Sequence, residues 1–305
     1  MTSEMDFFLQ RRTQVMTILN VTPDSFSDGG RLLDNERLLQ AAQAALDAGS
    51  DLLDVGGEST RPGSHPVDSQ EEIKRVIPAI TLIQKTFPSA IISIDTRKAA
   101  VAHAALNAGA RCINDVSGLQ YDVNMLAVAV AHQARLILTH SQGEPLAMQN
   151  NPLYPEGVVE TVYRFFQTQL EKMQQAGLPF SNVVLDPGFG FGKTLVHNLT
   201  LLSHLSAFLN LQAPIMAGTS RKSFLLLDKT KSIQPLAGID AMPADTDREA
   251  LTTASLALAI AQGATYVRVH NPVVQIPAIA LIEASLQQNA NSPRFSEGRI
   301  DCCPI

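Results

Sequence analysis

Residues Ile91–Asp115 read IISIDTRKAAVAHAALNAGARCIND and contain the repeating unit of the whole chain. A short apolar run, Ile91–Ile94, is closed by Asp95. A stretch rich in Ala and Leu, Lys98–Ala108, has helical character, and Gly109 stands where a helix C-cap is expected. The next apolar run, Cys112–Ile113, is closed by Asn114 and Asp115. Runs this short rarely make helices, and they lack the alternation of a one-sided sheet. Continuous apolar character suits strands covered on both faces, as in a parallel sheet.

The same rhythm extends in both directions. Val15–Leu19, Leu52–Val55, Leu136–Leu138, Val183–Leu185, Pro214–Ala217 and Tyr266–Val269 are the other strand candidates. Helical stretches separate them: Arg37–Ala48, Gln70–Thr86, Asn124–Gln133, Gly157–Ala176, Leu195–Leu209, Arg248–Gln262 and Val274–Gln288. Ser69 with Glu72, and Thr246 with Glu249, have capping-box spacing. Gly49, Gly177 and Gly263 stand at further C-cap positions. Eight strands alternating with eight helices predict an α/β fold, a single closed (β/α)8 barrel, with an open doubly wound sheet as the alternative. The barrel is expected over residues 14–290, with 1–13 and 291–305 as terminal tails. Asp228–Asp245, with Pro235, Gly238 and Pro243, reads as a long loop in the seventh helical unit.

Composition agrees with a large core. Of 305 residues, 45% are hydrophobic and 17% charged, which excludes wholesale disorder. A net charge of -6 with no long Lys/Arg run argues against nucleic-acid binding over a broad face. No uncharged apolar run reaches membrane-spanning length, and the N-terminus, with Glu4, Asp6, Arg11 and Arg12, does not read as a signal peptide. Three cysteines, Cys112, Cys302 and Cys303, make neither a disulfide framework nor a metal motif. A cytoplasmic protein is expected.

The strand ends carry the functional signal. In parallel α/β folds the carboxyl ends of the strands form the site. Here they bear Asn20, Asp54, Asp95, Asn114 with Asp115, His140, Asp186, and Arg268 with His270. Carboxylates buried at a barrel mouth are costly without a partner, so this repeated pattern points to a polar ligand pocket. Asn20, Thr60, Arg61, Lys222, Arg268 and His270 approach one rim and suit phosphate oxygens. Asn20 together with phosphate oxygens suits Mg²⁺. Asp95, Asn114 and Asp186, set deeper, suit a flat nitrogen-rich heterocycle with several N–H groups.

Other patterns fail on spacing. Gly188–Thr194, GFGFGKT, has Pro187 where a P-loop needs glycine. Ser25 and Ser220 lack the Gly-x-Ser-x-Gly elbow of a serine hydrolase. Gly218–Ser223 reads instead as an anion-holding helix N-terminus. His140 and His270 lack paired metal-ligand spacing. His140 and Arg221 read as structural, and His103 as part of a solvated helix face.

Several segments together carry a family resemblance. They are Thr17–Gly30 (TILNVTPDSFSDGG), Asp54–Gly63 (DVGGESTRPG), Ser93–Thr96 (SIDT), Ile113–Gly118 (INDVSG), Leu185–Lys193 (LDPGFGFGK), Gly218–Ser223 (GTSRKS) and Val267–His270 (VRVH). In this order the chain resembles the dihydropteroate synthases of the pterin-binding barrel family. The resemblance implies condensation of 6-hydroxymethyl-7,8-dihydropterin pyrophosphate with p-aminobenzoate, along an SN1-like path with Mg²⁺, in a homodimer. It implies that Asp95, Asn114, Asp186 and Lys222 hold the pterin, with Phe191 lining its pocket and Arg268 stacking on it. It assigns Asn20, Thr60, Arg61 and His270 to pyrophosphate, with Asn20 also near the metal. Loops Thr22–Gly30 and Gly57–Gly63 would be mobile and close over p-aminobenzoate. Phe26 and Pro62 would flank its ring, Asp24 would lie near the reacting centre, and Ser220 would meet its carboxylate. The catalytic set implied is Asp95, Asp24, Lys222 and Arg268.

The chain departs from the family pattern at Ser141, where Met is common, at Asn271, where Asp is common, and in the longer Lys229–Asp247 segment. Two other functions are a non-catalytic pterin-binding paralogue and a methyltetrahydrofolate-binding methyltransferase domain. Intact phosphate loops speak against the first, and the Thr60–Arg61 and Ser220–Lys222 anion features against the second.

Overall fold

The computed structural model describes residues 13–22, 30–58, 66–143, 148–149, 152–227 and 247–291. Among the described residues, eight strands and eight α-helices alternate along the chain. They are β1 (Gln14–Asn20), α1 (Gly30–Ala48), β2 (Leu52–Gly56), α2 (Ser69–Thr86), β3 (Ile91–Asp95), α3 (Ala99–Asn107), β4 (Cys112–Asp115) and α4 (Met125–Ala131). Then follow β5 (Arg135–Thr139), α5 (Val158–Ala176), β6 (Val183–Asp186), α6 (Leu195–Ser203), β7 (Met216–Ala217), α7 (Arg248–Ala261), β8 (Tyr266–Val269) and α8 (Pro272–Asn291). Every strand pair is parallel, in the order β6-β5-β4-β3-β2-β1-β8-β7. A parallel bridge, Leu185 to Ile215, brings β6 to the seventh strand and closes the ring. The fold is therefore the expected (β/α)8 barrel, not the open sheet.

Strand alternation divides the barrel into two packing zones. Outward residues such as Leu53, Val55, Ile92, Ile94, Ile113, Leu136, Leu138 and Leu185 join the helices in one continuous core. Inward residues Met16, Leu52, Cys112, Ile137, Val184, Met216 and Tyr266 fill the barrel itself. Full burial of an aliphatic side chain contributes roughly 1.5–3 kcal/mol, so both zones stabilise the scaffold strongly. Further along the same inward rows the residues turn polar: Asp54, Asp95, Asn114, Asp186 and Arg268. The apolar plug thus forms the floor of a polar mouth.

Helix ends explain where local expectation succeeds and fails. Gly49, Gly109, Gly177 and Gly263 all have positive φ. The capping boxes differ from those expected. Asp68 caps α2, accepting from Gln70 N and Glu71 N, while Glu72 is buried in an ion cluster. A fixed Glu72–Lys98 pair leaves that carboxylate unable to reach back to the cap. Asp247 caps α7 through Glu249 N, and Glu249 turns to Arg221 and Gln275. A reciprocal cap forms instead at Thr194 and His197. The stretch after α6 tightens into a 3₁₀ segment, Leu205–Leu211. The tails, the 22–30 and 57–63 loops for the most part, and 228–246 lie outside the described residues.

On α5, Val158, Val162, Phe166, Leu170 and Met173 repeat at helical spacing and face the core. Phe166 is fully buried, edge-on to Phe208 with ring centres 5.7 Å apart. Phe166→Ala is expected to reduce unfolding free energy by about 3–5 kcal/mol, measured by denaturant titration with an unchanged slope.

Candidate active site

Arg268 reaches inward from β8 between two carboxylates. Its Nε donates to Asp54 Oδ2 at 2.7 Å, and its Nη2 donates to Asp95 Oδ2 at 2.7 Å. Asn114 Nδ2 donates to the same Asp54 oxygen at 2.9 Å. Asp54 Oδ1 and Asp95 Oδ1 are buried with no hydrogen-bond partner among the described residues. Orphaned acceptors of this kind call for donors from a bound molecule. Burial would depress the Arg268 pKa, but Asp54 and Asp95 outweigh it and hold the guanidinium above its usual value.

Asp186 ends β6 on the same inward row. Its Oδ1 accepts from Gly188 N at 2.8 Å. Gly188 has φ 73°, and a Cβ there would lie 1.9 Å from the His140 carbonyl oxygen, so the turn needs glycine. The turn sends Phe189 and Phe191 in different directions. Phe189 is fully buried and stacks on Phe224. Phe191 is half-buried, with Lys222 Nζ 4.3 Å from its ring centre. Lys222 also donates to Phe189 O.

Residues 219–222 alternate between scaffold and site. Thr219 bonds Ser255 on α7, and Arg221 pairs with Glu249. Ser220 and Lys222 turn the other way. Ser220 Oγ accepts from His270 N at 3.2 Å and lies 3.0 Å from His270 Nδ1. The expected helix N-terminus here is only a four-residue 3₁₀ turn, Ser223–Leu226. Leu227 leaves it in the left-handed region at φ 51°, which stops α-helical propagation.

Electrostatics separates these groups. Burial pushes Asp95 up to about 7, against the pull of Arg268 and with a further push from Asp54. Burial also raises Asp186, opposed by Lys222 and the Gly188 N–H. Lys222 is lowered to about 8 by burial, with Asp186 opposing and Arg268 adding to the shift. Asp95 and Lys222 are therefore poised near neutrality, as is common at catalytic positions.

Some expected residues play other parts here. Asp115 folds back on its own turn, accepting from Ser117 N, Ser117 Oγ and Leu119 N. His140 lies 3.0 Å from buried Lys193 Nζ, which also bonds the carbonyls of His140 and Phe191. Burial, with Lys193 adding to it, lowers the His140 pKa, and the pair clamps the Gly188–Thr194 turn, the structural part expected of His140. Asn20 is half-buried at the end of β1. A Cβ on Gly56 would lie 3.5 Å from its Oδ1 and 3.7 Å from Asp95 Oδ2, so the two side chains flank one glycine. Asp24, Phe26, Thr60, Arg61 and Pro62 lie outside the described residues.

Sequence reasoning gave no role to a buried ion cluster beside the mouth. Glu58, just after β2, pairs with Arg97 Nη2 at 3.1 Å and with Lys98, which also bonds Glu72. Arg97 lies over the Tyr121 ring at 4.1 Å. The available signal was a carboxylate and two cations at neighbouring strand ends. In the sequence Asp54 is one polar strand end among several; in the structure it joins Arg268 to Asn114 at the centre of the site.

Among the described residues no group of three or more His, Cys, Asp or Glu converges to hold a metal. A single amide oxygen at Asn20 still fits Mg²⁺, which takes few protein ligands and completes its shell with phosphate and water.

Comparison with known proteins agrees with this geometry. A family model described as pterin binding enzyme matches residues 16–270. The dihydropteroate synthase of Synechocystis is 40% identical over 263 residues, covering 86% of each chain. The Yersinia pestis dihydropteroate synthase, solved with a sulfonamide drug complex, superposes with TM-score 0.77 at 39% identity, covering 91% of this chain and 95% of that one. The Clostridium difficile dihydropteroate synthase, solved in the presence of pteroic acid, gives TM-score 0.79 at 38% identity, covering 90% and 97%.

Because the folded Asp95 pKa lies above the ordinary carboxylate value, the native state binds a proton there that the unfolded chain has lost. Its contribution is present at low pH and is lost as pH rises from about 4 to about 7. Asp95→Asn is therefore expected to raise the thermal midpoint relative to the unaltered protein at pH 8, with the difference shrinking toward pH 4. A difference independent of pH would contradict this.

Proposed function

The chain belongs to the pterin-binding enzyme family and carries dihydropteroate synthase function, and from that premise we propose how its own residues perform the condensation. The observation that carries the assignment of roles is the set of buried acceptors, Asp95, Asn114 and Asp186, beside two half-buried cations, Arg268 and Lys222. A dihydropterin offers several N–H donors to such acceptors, and its pyrophosphate needs cations.

In this reading Asp186, Asn114, Asp95 and Lys222 hold the pterin, and Phe191 lines its pocket. Arg268, tied by one edge to Asp54 and Asp95, offers its face to the ring and its remaining N–H groups to the leaving group. Asn20, Thr60, Arg61 and His270 take the pyrophosphate. Mg²⁺, held through Asn20 and phosphate oxygens, would supply neutralisation of the leaving group. The bond from the exocyclic methylene carbon to oxygen breaks, and pyrophosphate departs with the electron pair. The carbocation left behind is delocalised into the dihydropterin, and Asp95 lies where its charge stabilises it. The p-aminobenzoate nitrogen then forms the new C–N bond and loses a proton. Phe26 and Pro62 would flank the aryl ring, Ser220 would meet its carboxylate, and Asp24 would lie near the reacting centre. Closure of the first two loops would keep water from the cation.

The proposal extends to the whole molecule: a barrel domain at 14–290 with tails at 1–13 and 291–305, working as a homodimer in the cytoplasm. Helices α7 and α8 pack side by side and expose Leu258, Val273, Val274 and Leu281, the last 70% exposed. Such a patch suits an isologous interface. Cys112 is a free buried thiol, consistent with a reducing compartment. No described helix is long and apolar enough to cross a membrane.

Pyrophosphate release should require dihydropterin pyrophosphate, p-aminobenzoate and Mg²⁺ together and yield 7,8-dihydropteroate, with a sulfonamide competing against p-aminobenzoate. Release without p-aminobenzoate, or none with all three, would overturn the proposal. In sedimentation velocity the unaltered protein should run as a dimer and Leu281→Glu as a monomer; a monomeric unaltered protein would remove the homodimer.

A further inference from the structure

Asp54 is fully buried and has no substrate contact in the reading above. One of its oxygens, Oδ2, accepts from both Arg268 Nε and Asn114 Nδ2. A carboxylate oxygen so placed can only accept. The Asn114 amide therefore faces it with its NH2 group, because the reverse orientation would set two acceptors against each other. The amide is planar, so its carbonyl oxygen is turned away from Asp54. That oxygen makes no hydrogen bond among the described residues. Asp95, paired with Asn114 in strand register, keeps its Oδ1 without a donor.

We propose that Asp54 is a positioning residue that fixes Asn114 as a hydrogen-bond acceptor toward the substrate and so sets the pocket's selectivity for a ring edge rich in N–H donors. An asparagine alone reads donor and acceptor edges equally well. Locked by Asp54, it rewards an N–H and opposes a ring nitrogen lone pair. The same oxygen holds Arg268 by its Nε, so ring orientation and guanidinium orientation share one anchor. This inference rests on the pterin-binding reading of the site.

A double-mutant cycle tests it. In Asp54→Asn the lock is lost, because residue 54 then offers either a donor or an acceptor to the Asn114 amide. Asn114→Ala removes the amide that the lock would orient. Calorimetric binding of 6-hydroxymethyl-7,8-dihydropterin is the readout, with circular dichroism to verify folding. Asp54→Asn should weaken binding at least about tenfold when Asn114 is present and less than about threefold when position 114 is Ala, a strong departure from additivity.

Unchanged binding in Asp54→Asn, or an equal loss whether position 114 is Asn or Ala, would overturn the proposal. If Asp54→Asn does not fold, ligand preference decides: the locked amide should favour the dihydropterin, with its N8–H, over the oxidised 6-hydroxymethylpterin, and Asn114→Ala should narrow that preference at least about threefold; an unchanged preference would overturn the proposal. An unaltered protein that does not bind the pterin would instead sink the pterin-binding reading itself. A merely structural Asp54 predicts the same loss in both backgrounds.

Discussion

One guanidinium held among buried carboxylates organises this molecule. Arg268 is flanked by Asp54 and Asp95 at hydrogen-bond distance, and Asp186 adds to the field around it. Removing Arg268 would strand both carboxylates in a low-dielectric barrel, which typically costs about 3–5 kcal/mol. The arrangement survives because each charge meets an opposite charge or a fixed dipole. Among the described residues it also leaves some acceptor atoms unfilled, at Asp54 and Asp95. The site is thus satisfied enough to fold and incomplete enough to bind.

The barrel makes that balance affordable through strict alternation. Outward residues on each strand pack against helices, while inward residues pass from apolar floor to polar mouth. A slip of one residue in any strand would exchange these sets and place carboxylates in the helix layer. Register and site geometry are therefore one constraint. Connecting turns obey it too: Thr219 and Arg221 fasten one stretch to α7, while Ser220 and Lys222, alternating with them, reach the site.

Supporting groups around the mouth hold rigid what substrate contact demands. The Lys193–His140 clamp binds the Gly188–Thr194 turn from below through neutral acceptors. The Glu58, Arg97, Lys98 and Glu72 cluster ties the stems that leave β2 and β3. Neither cluster follows any sequence motif of its own. Each arises where chain segments distant in sequence end at the same height of the barrel.

The sequence by itself determined the alternation of strand and helix and the row of polar strand ends, because these follow from local periodicity and chain connectivity; it favoured the closed barrel over an open sheet, and the Leu185–Ile215 bridge decided it. It also pointed to Asp95, Asn114, Asp186 and Arg268 as one group, since parallel strands carry their ends to one face, and the family resemblance added Lys222. What it left open was partner choice. Whether Asp115 joins its neighbours or caps its own turn depends on a half-turn of side-chain direction at the end of β4. Whether Glu72 caps a helix or buries against Lys98 depends on a contact spanning 26 residues. The separation of Phe189 from Phe191 depends on Gly188 passing against the His140 carbonyl. Above all, the placing of one Asp54 oxygen between Arg268 and Asn114 is decided only when β2, β4 and β8 meet across the barrel. Hydrogen-bond partners and buried charge are properties of three-dimensional proximity, and only the tertiary structure supplies it.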